Sequence, residues 1–386
     1  MNQPANFLPG QYQATVKYPI NHNYLRSQFS DYREIFEKMA GLVERGDFTL
    51  GKPVEDFEQA ICALTGARYC IGVGSGTDAI FLSLKAAGIG PGDEVITSPY
   101  TFYATVGAIA TAGARPVFAD IGPDLNLDPA CVEAVLTSKT RAIVPVHWSG
   151  LPCAMDGLWR LAERHNLKIV EDACHALCAS YQGKMAGRLG WTGCFSLHPL
   201  KNLNVWGDGG FIVTDQTEAR DRLMLLRNHG LLDRDTCGVW AYNSRLDSLQ
   251  AVVASHLLQK LPHITASRQA NARRLDELLV GLAQITLPVR PPDRVQVFHL
   301  YCLQAERRDE LVAFLQEQGV DAKIHYPVPM HLQPAAAELG YRKGDFPRAE
   351  SVCASVMSLP VHEFVDSEAV ESMAARIKEF YARPLR

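Results

Sequence analysis

An α/β fold is what this sequence predicts, and three observations carry the prediction. From about Arg68 to Thr214 short apolar runs recur, each about as long as a buried strand. Between them lie amphipathic stretches of helical length. The 386-residue chain is also too long for one small core, with 47% apolar and 21% charged residues matching ordinary globular usage. Strands interleaved with helices of about 10 to 15 residues imply βαβ units, which close into a mostly parallel sheet with helices on both faces. Ligands of such sheets gather at the carboxyl ends of the strands.

The elements follow in order. YCIGVG from Tyr69 reads as a strand, TDAIFLSLKAAG from Thr77 as a helix, and EVITSP from Glu94 as the next strand. A second helix is expected from Phe102 to Ala112, then a strand in ARPVFAD, a polar-faced stretch from Pro129, and a strand in RAIVPVHW. The helix from Cys153 to Asn166 and the strand LKIVEDA continue the period, and GCFSL and GGFIVT read as two further β-like runs. After Thr214 the pattern changes to helical periodicity at Glu218 to Arg227 and from Ser244 through Leu261. Beyond Pro262 it reads as a helix, a strand near VQVFHLYCLQA, a helix near RRDELVAFLQEQG and a last helix from Ser367 to Tyr381, enough for a smaller α+β domain. The expected division is an arm and helix over 1–47, a large domain over 48–260 and a small C-terminal domain over 261–386. The first thirty residues lack periodicity and read as an arm that packs on another surface.

Composition excludes several classes. Lys plus Arg number 38 against 42 for Asp plus Glu, and without a basic run or a nucleic-acid-reading motif no nucleic-acid partner is expected. No stretch approaches the roughly 18 to 20 apolar residues of a membrane helix, and the opening MNQPANFLPGQYQATVKYP lacks a secretion pattern, so the cytoplasm is the expected compartment. The 10 cysteines are scattered without a Cys-x-x-Cys pair, which reads as reduced thiols rather than a disulfide framework or metal site.

Lys201 sits in CFSLHPLKNLNVWGDGG, between two apolar runs and among glycines and a tryptophan, where a solvated cation has little reason to be. A partly desolvated lysine becomes an amine nucleophile toward aldehydes. Such a lysine suits a pyridoxal enzyme, which also needs an acid opposite the pyridine nitrogen. Asp172, ending LKIVED, is placed for that, and equally for capping the next segment. His175, on the same strand end, could lie against a cofactor ring or be a hydrogen-bonded core histidine. GVGSGTDAI sets Gly74, Ser75, Gly76 and Thr77 between a strand and a helix, where free amides and the helix dipole favour a phosphate, although many α/β proteins use such a turn only for geometry. Neither a Walker loop nor a complete dinucleotide fingerprint is present. Ser196 offers a second phosphate donor or a structural hydroxyl, and Phe102 a ring-stacking aromatic or ordinary core.

Taken together these segments resemble the DegT/DnrJ/EryC1/StrS family of sugar aminotransferases. The resemblance runs from FTLGKPVEDFE at Phe48 through SGTDAIFLSLKAAGIGPGDEVI, TFYAT, ARPVFADI, EDACHA, FSLHPLKNLNVWGDGGFIVT, RNHG and YNSRLDSLQA to IHYPVPMHLQPA, LGYRKGDFPRAE and SLP. It implies the aspartate aminotransferase fold (fold type I), with a mostly parallel seven-stranded sheet and pyridoxal 5'-phosphate as cofactor. It further implies Lys201 as the Schiff-base lysine and proton carrier, Asp172 as the pyridine-nitrogen partner and His175 as its neighbour. Gly76, Thr77 and Ser196 would cradle the phosphate, and Phe102 would stack on the ring. Asn243 matches a residue that reaches the other subunit's phosphate, implying a homodimer with shared sites, and His229, Tyr326 and His331 fall where the family lines its substrate cleft. The implied reaction moves an amino group from an amino acid, glutamate foremost, to a keto-sugar, nucleotide-linked in most of the family and phosphate-linked, as in 3-keto-glucose 6-phosphate, in a smaller group.

Trp191 and Trp206 depart from the family pattern at positions that could reshape the pocket. Some relatives carry histidine in place of the lysine and are dehydratases, a branch that Lys201 argues against. Two rivals share the fold: an amino-acid aminotransferase or cysteine desulfurase, for which no clearly matched carboxylate-binding arginine or loop cysteine is visible, and a non-catalytic pyridoxal-phosphate-binding sensor or scaffold.

Overall fold

The computed structural model describes residues 18–383. At its centre lie seven strands, β1 (Tyr69–Val73), β2 (Glu94–Thr97), β3 (Arg115–Phe118), β4 (Thr140–Val144), β5 (Lys168–Asp172), β6 (Thr192–Ser196) and β7 (Gly210–Thr214). They are ordered β1-β7-β6-β5-β4-β2-β3 in one sheet. All neighbouring pairs are parallel except those of β7, which runs antiparallel to both β1 and β6. The expected α/β class and mostly parallel seven-stranded sheet are thus observed.

Why the runs are apolar throughout is visible in their packing. Val95, Val170, Cys194 and Ile212 enter the core on one face, while their neighbours Ile96, Ile169, Phe195 and Phe211 enter the core on the other. Period-2 alternation therefore divides two dry faces rather than one dry and one wet. Each fully buried Ile or Phe contributes about 1.5–3 kcal/mol to holding helices on both sides. On one face lies the helix Gly76–Ala86, capped by Ser75, whose hydroxyl accepts from the Asp78 amide at 3.0 Å.

A second core, with Leu275, Leu303, Met357 and Met373 at its centre, joins the helices Leu261–Leu279, Arg308–Glu317 and Ser367–Ala382 to a three-stranded antiparallel sheet. Two elements start later than the sequence pattern suggests. The helix expected from Ser244 begins at Ser248, because Ser244 instead accepts the Gly74 amide at 3.2 Å and Asp247 bridges Thr49. In VQVFHLYCLQA the strand is Tyr301–Ala305, since Phe298 takes the left-handed conformation (φ 50°) and interrupts extended backbone. The described part of the N-terminal arm lies on this same chain: Ile20 bridges Val320, and Asp321 accepts the His22 amide at 3.0 Å. The arm's first 17 residues lie outside the described residues.

The turn behind the strand ends hangs on one buried carboxylate. Glu171, next to Asp172 but facing the other way, accepts from His147 Nε2 at 2.8 Å and from the Gly187 amide at 2.6 Å. His147 Nδ1 accepts from the Cys153 amide at 3.1 Å, so its proton is on Nε2. Both side chains are fully buried. Replacing Glu171 by Ala strands these donors, and a loss of about 3–5 kcal/mol is expected, read as a lower midpoint in urea; an unchanged midpoint would show that the network contributes nothing.

Candidate active site

The carboxyl ends of β5 and β6 open onto a cavity of about 280 Å³. Lys201 reaches it from the loop between β6 and β7. That loop is closed at its base by Leu197 and Gly209 (2.8 Å) and Leu197 and Val205 (2.9 Å). The Asn204 amide donates to the Lys201 carbonyl at 2.9 Å and to Gln28 Oε1 at 2.7 Å, tying the lysine's backbone to the N-terminal segment. Among the described residues Lys201 Nζ has no ion pair. Burial lowers its pKa from the ordinary lysine value, and nearby Cys174 and Asp172 oppose that shift. The neutral amine is therefore reached at lower pH than in a solvated lysine.

Asp172 lines the same cavity at the end of β5. It is not a helix cap. Its Oδ2 accepts from Thr105 Oγ1 at 2.7 Å, and its Oδ1 accepts from the Cys174 amide at 3.2 Å. An ionised carboxylate only accepts, so Thr105 spends its proton on Asp172 and takes one from Thr101 Oγ1 at 2.7 Å. Both threonines are buried. This chain of hydroxyls fixes the carboxylate's rotamer.

At the other end the helix Gly76–Ala86 points its amino terminus at β6, so its free amides meet Ser196. The approach is close enough to require glycine. A Cβ on Gly76 would fall 2.7 Å from Ser196 Cβ, and one on Gly210 would fall 2.5 Å from the Ser75 backbone. Ser75, Gly76, Thr77 and Ser196 line this end of the cavity. Between the two ends stand His175, 5.4 Å from Trp148 ring to ring, and Phe102, which is 47% exposed and 5.8 Å from Tyr326. The set fits a phosphorylated pyridine aldehyde on structural grounds: a glycine-lined anion cradle, a fixed carboxylate and a desolvated amine share one cavity.

The structure brings Lys201, Asp172, His175, Gly76, Thr77, Ser196, Phe102 and Tyr326 to one cavity. Three expected residues stand apart. His331 is buried, bonded to Glu350 at 3.0 Å and edge-on to Phe346 at 4.7 Å, so within this chain it holds packing rather than facing the cavity. His229 and Asn243 are exposed on the two arms of a loop, paired through the Asn228–Asn243 bridge. The two tryptophans do not reshape the pocket. Trp191 packs at the amino end of β6 under Lys168, 5.2 Å away, and Trp206 is pinned by Phe29 and Phe36, 5.5 and 5.6 Å away. Sequence reasoning missed Thr101, Thr105, Tyr24, Arg268 and His299, which join the site only through tertiary contacts.

Residues 30–378 match the DegT/DnrJ/EryC1/StrS aminotransferase family, and the chain belongs to it. It is 43% identical over 352 residues to the "pleiotropic regulatory protein" of Geobacillus stearothermophilus, covering 90% of this chain and 94% of that one. It is 39% identical over 367 residues to the dTDP-3-amino-3,4,6-trideoxy-alpha-D-glucose transaminase of Streptomyces venezuelae, covering 93% and 97%. Among solved structures, S. venezuelae DesV in complex with a ketimine intermediate superposes with a TM-score of 0.91 at 38% identity, covering 96% and 100% of the two chains. NtdA of Bacillus subtilis with bound cofactor PMP superposes with a TM-score of 0.87 at 27% identity, covering 97% and 87%. The protein is thus an aminotransferase of fold type I.

Thr105→Val keeps the volume and removes the donor to Asp172. We expect about tenfold weaker pyridoxal phosphate binding with altered visible circular dichroism of the bound cofactor, and near-normal behaviour in Thr105→Ser; equal affinity in all three would remove the threonine from this role.

Proposed function

We propose that this enzyme is a pyridoxal-phosphate-dependent transaminase that takes an amino group from an amino acid, glutamate foremost, and delivers it to the keto carbon of a nucleotide-linked sugar. The observation that carries the reading is the pairing of a buried Lys201, without an ion pair among the described residues, with a hydroxyl-anchored Asp172 in one cavity that also has an anion cradle. The relatives whose names print dTDP- and UDP-linked sugars support the acceptor class. A regulatory name on the Geobacillus relative raises the alternative of a non-catalytic sensor. Retention of lysine, acid and cradle together favours turnover.

When bound, pyridoxal phosphate supplies an aldehyde that condenses with amines and a ring that withdraws electrons from the reacting carbon. In this reading Gly76, Thr77 and Ser196 hold its phosphate, with the helix dipole favouring the anion. Asp172, its rotamer set by Thr105, would hold the ring nitrogen and keep a proton there. His175 and Phe102 border the ring. Lys201 Nζ would be the amine that holds the aldehyde and the base that moves the proton at the substrate carbon. A division of the chain near residue 260 would put the cavity on the seam between the two cores. We further propose a homodimer in which Asn243 and His229 serve the neighbouring site. The loop carrying them also exposes Leu232 and Trp240, the latter 94% exposed, which suits burial against a second copy.

Two measurements test this. Protein loaded with pyridoxal phosphate should lose its visible absorbance on adding L-glutamate and regain it with a nucleotide-linked keto-sugar; inertness toward every activated sugar offered would remove the acceptor class. Lys201→Ala should fold and bind the cofactor but fall at least about 10⁴-fold in turnover, and near-normal turnover would refute the lysine's role. Because burial disfavours the ammonium form, the apo protein's rate of capturing pyridoxal phosphate should plateau at a pH below that of a solvated lysine, and a plateau only near pH 10.5 would contradict the desolvation.

A further inference from the structure

Besides Lys201, a second basic side chain lines the cavity without a counter-ion among the described residues. Arg268, on the helix Leu261–Leu279, is only 2% exposed. Its Nη1 donates to the carbonyls of Phe298 (3.1 Å) and His299 (3.3 Å), and its Nη2 donates to the Tyr24 hydroxyl at 2.7 Å. Among the described residues no carboxylate reaches it. The other well-buried arginines differ: Arg227 pairs with Glu58 at 2.5 Å and Arg308 with Asp309 at 2.6 Å. A buried guanidinium bonded only to neutral acceptors, its Nε without a partner among the described residues, leaves its charge uncompensated, a costly arrangement unless an anion arrives during function.

The residue whose carbonyl Arg268 holds also lines the cavity. The His299 ring lies 4.2 Å from that of His175, tilted by 37°. In both imidazoles Nδ1 is sealed from solvent and has no partner among the described residues. A neutral imidazole carries its hydrogen on one nitrogen only, and an orphaned buried N–H is the rarer defect, so the sealed nitrogen is the bare one. Each ring then keeps its N–H on Nε2, and both residues line the cavity. Burial lowers both histidines well below the ordinary value, with neighbouring cations adding to the effect, which agrees with two neutral donors.

We propose that His299, backed by Arg268, receives the carboxylate of the amino-acid donor. This rests on the transaminase reading above. Three features select that anion. The phosphate of the cofactor already has its place at the amino end of the helix Gly76–Ala86, whereas His299 and Arg268 belong to the part of the chain after Leu261. The Tyr24 hydroxyl that binds Arg268 also donates to the carbonyl of Leu200 at 3.3 Å, the residue before Lys201, so the corner adjoins the amine that carries the proton. An α-carboxylate is one bond from the reacting carbon, whereas the diphosphate of a nucleotide-linked sugar is several bonds from its keto carbon. A cation and a donor this close to the lysine suit the former.

The test compares L-glutamate with isoglutamine, its α-amide, as donors, following the loss of bound-cofactor absorbance in a single turnover. The wild-type protein should prefer glutamate by about a hundredfold, and His299→Phe and Arg268→Met should each cut that preference about tenfold or more, the range of one hydrogen bond to a charged group. His299→Gln, which retains an N–H, should recover part of it. An unchanged preference in His299→Phe overturns the assignment even if Arg268→Met fails to fold. A variant that keeps the glutamate preference but loses selectivity among phosphate-bearing sugars overturns it too, by giving the corner to the acceptor. If glutamate leaves the wild-type absorbance untouched, the transaminase reading itself falls.

Discussion

Desolvation of one amine is the constraint on which the rest of this structure depends. A lysine that must be a nucleophile near neutral pH has to be kept from water and from a tight carboxylate partner, yet within reach of a fixed acid. The fold meets all three demands by letting Lys201 reach in from a loop between two antiparallel strands, β6 and β7, while Asp172 ends the parallel strand β5 beside them. The carboxylate is committed to Thr105 and the Cys174 amide rather than to the lysine. Acid and amine thus share a cavity without neutralising each other.

Much of this was legible in the chain. Apolar runs at β-strand length gave every strand of the large sheet between residues 69 and 214, because a strand buried on both faces has no polar side to hide its signal. The strand-to-helix turn at Gly74 to Thr77 and the acid closing LKIVED could be placed for the same reason: strand ends are where such sheets put ligands. Resemblance to the family is what supplied their expected roles, since Asp172 and Phe102 each had two uses that position alone did not separate.

What the sequence concealed is what long-range contacts decide. Thr105 is an unremarkable residue in an alanine-rich helix until the fold sets it 2.7 Å from a carboxylate 67 positions away. Arg268 reads as one charge among several on a polar helix, and only packing shows that it is buried and, among the described residues, without a carboxylate partner. His331 misled in the opposite direction: it stands in a familiar motif, but Glu350 and Phe346 take it into packing. Trp206 likewise looked like pocket material and serves instead as the post against which Phe29 and Phe36 rest.

The seam between Ile20 and Val320 gives the chain's beginning an unexpected importance. Through it the segment that bears His22 and Tyr24 becomes a panel of the reaction chamber, clasped from 299 positions downstream by Asp321. Ribosomal synthesis delivers that panel 299 positions before its clasp. The cavity can have no finished wall until Asp321 has been made, so a nascent chain that already holds Lys201 and Asp172 would carry both side chains without the enclosure that surrounds them.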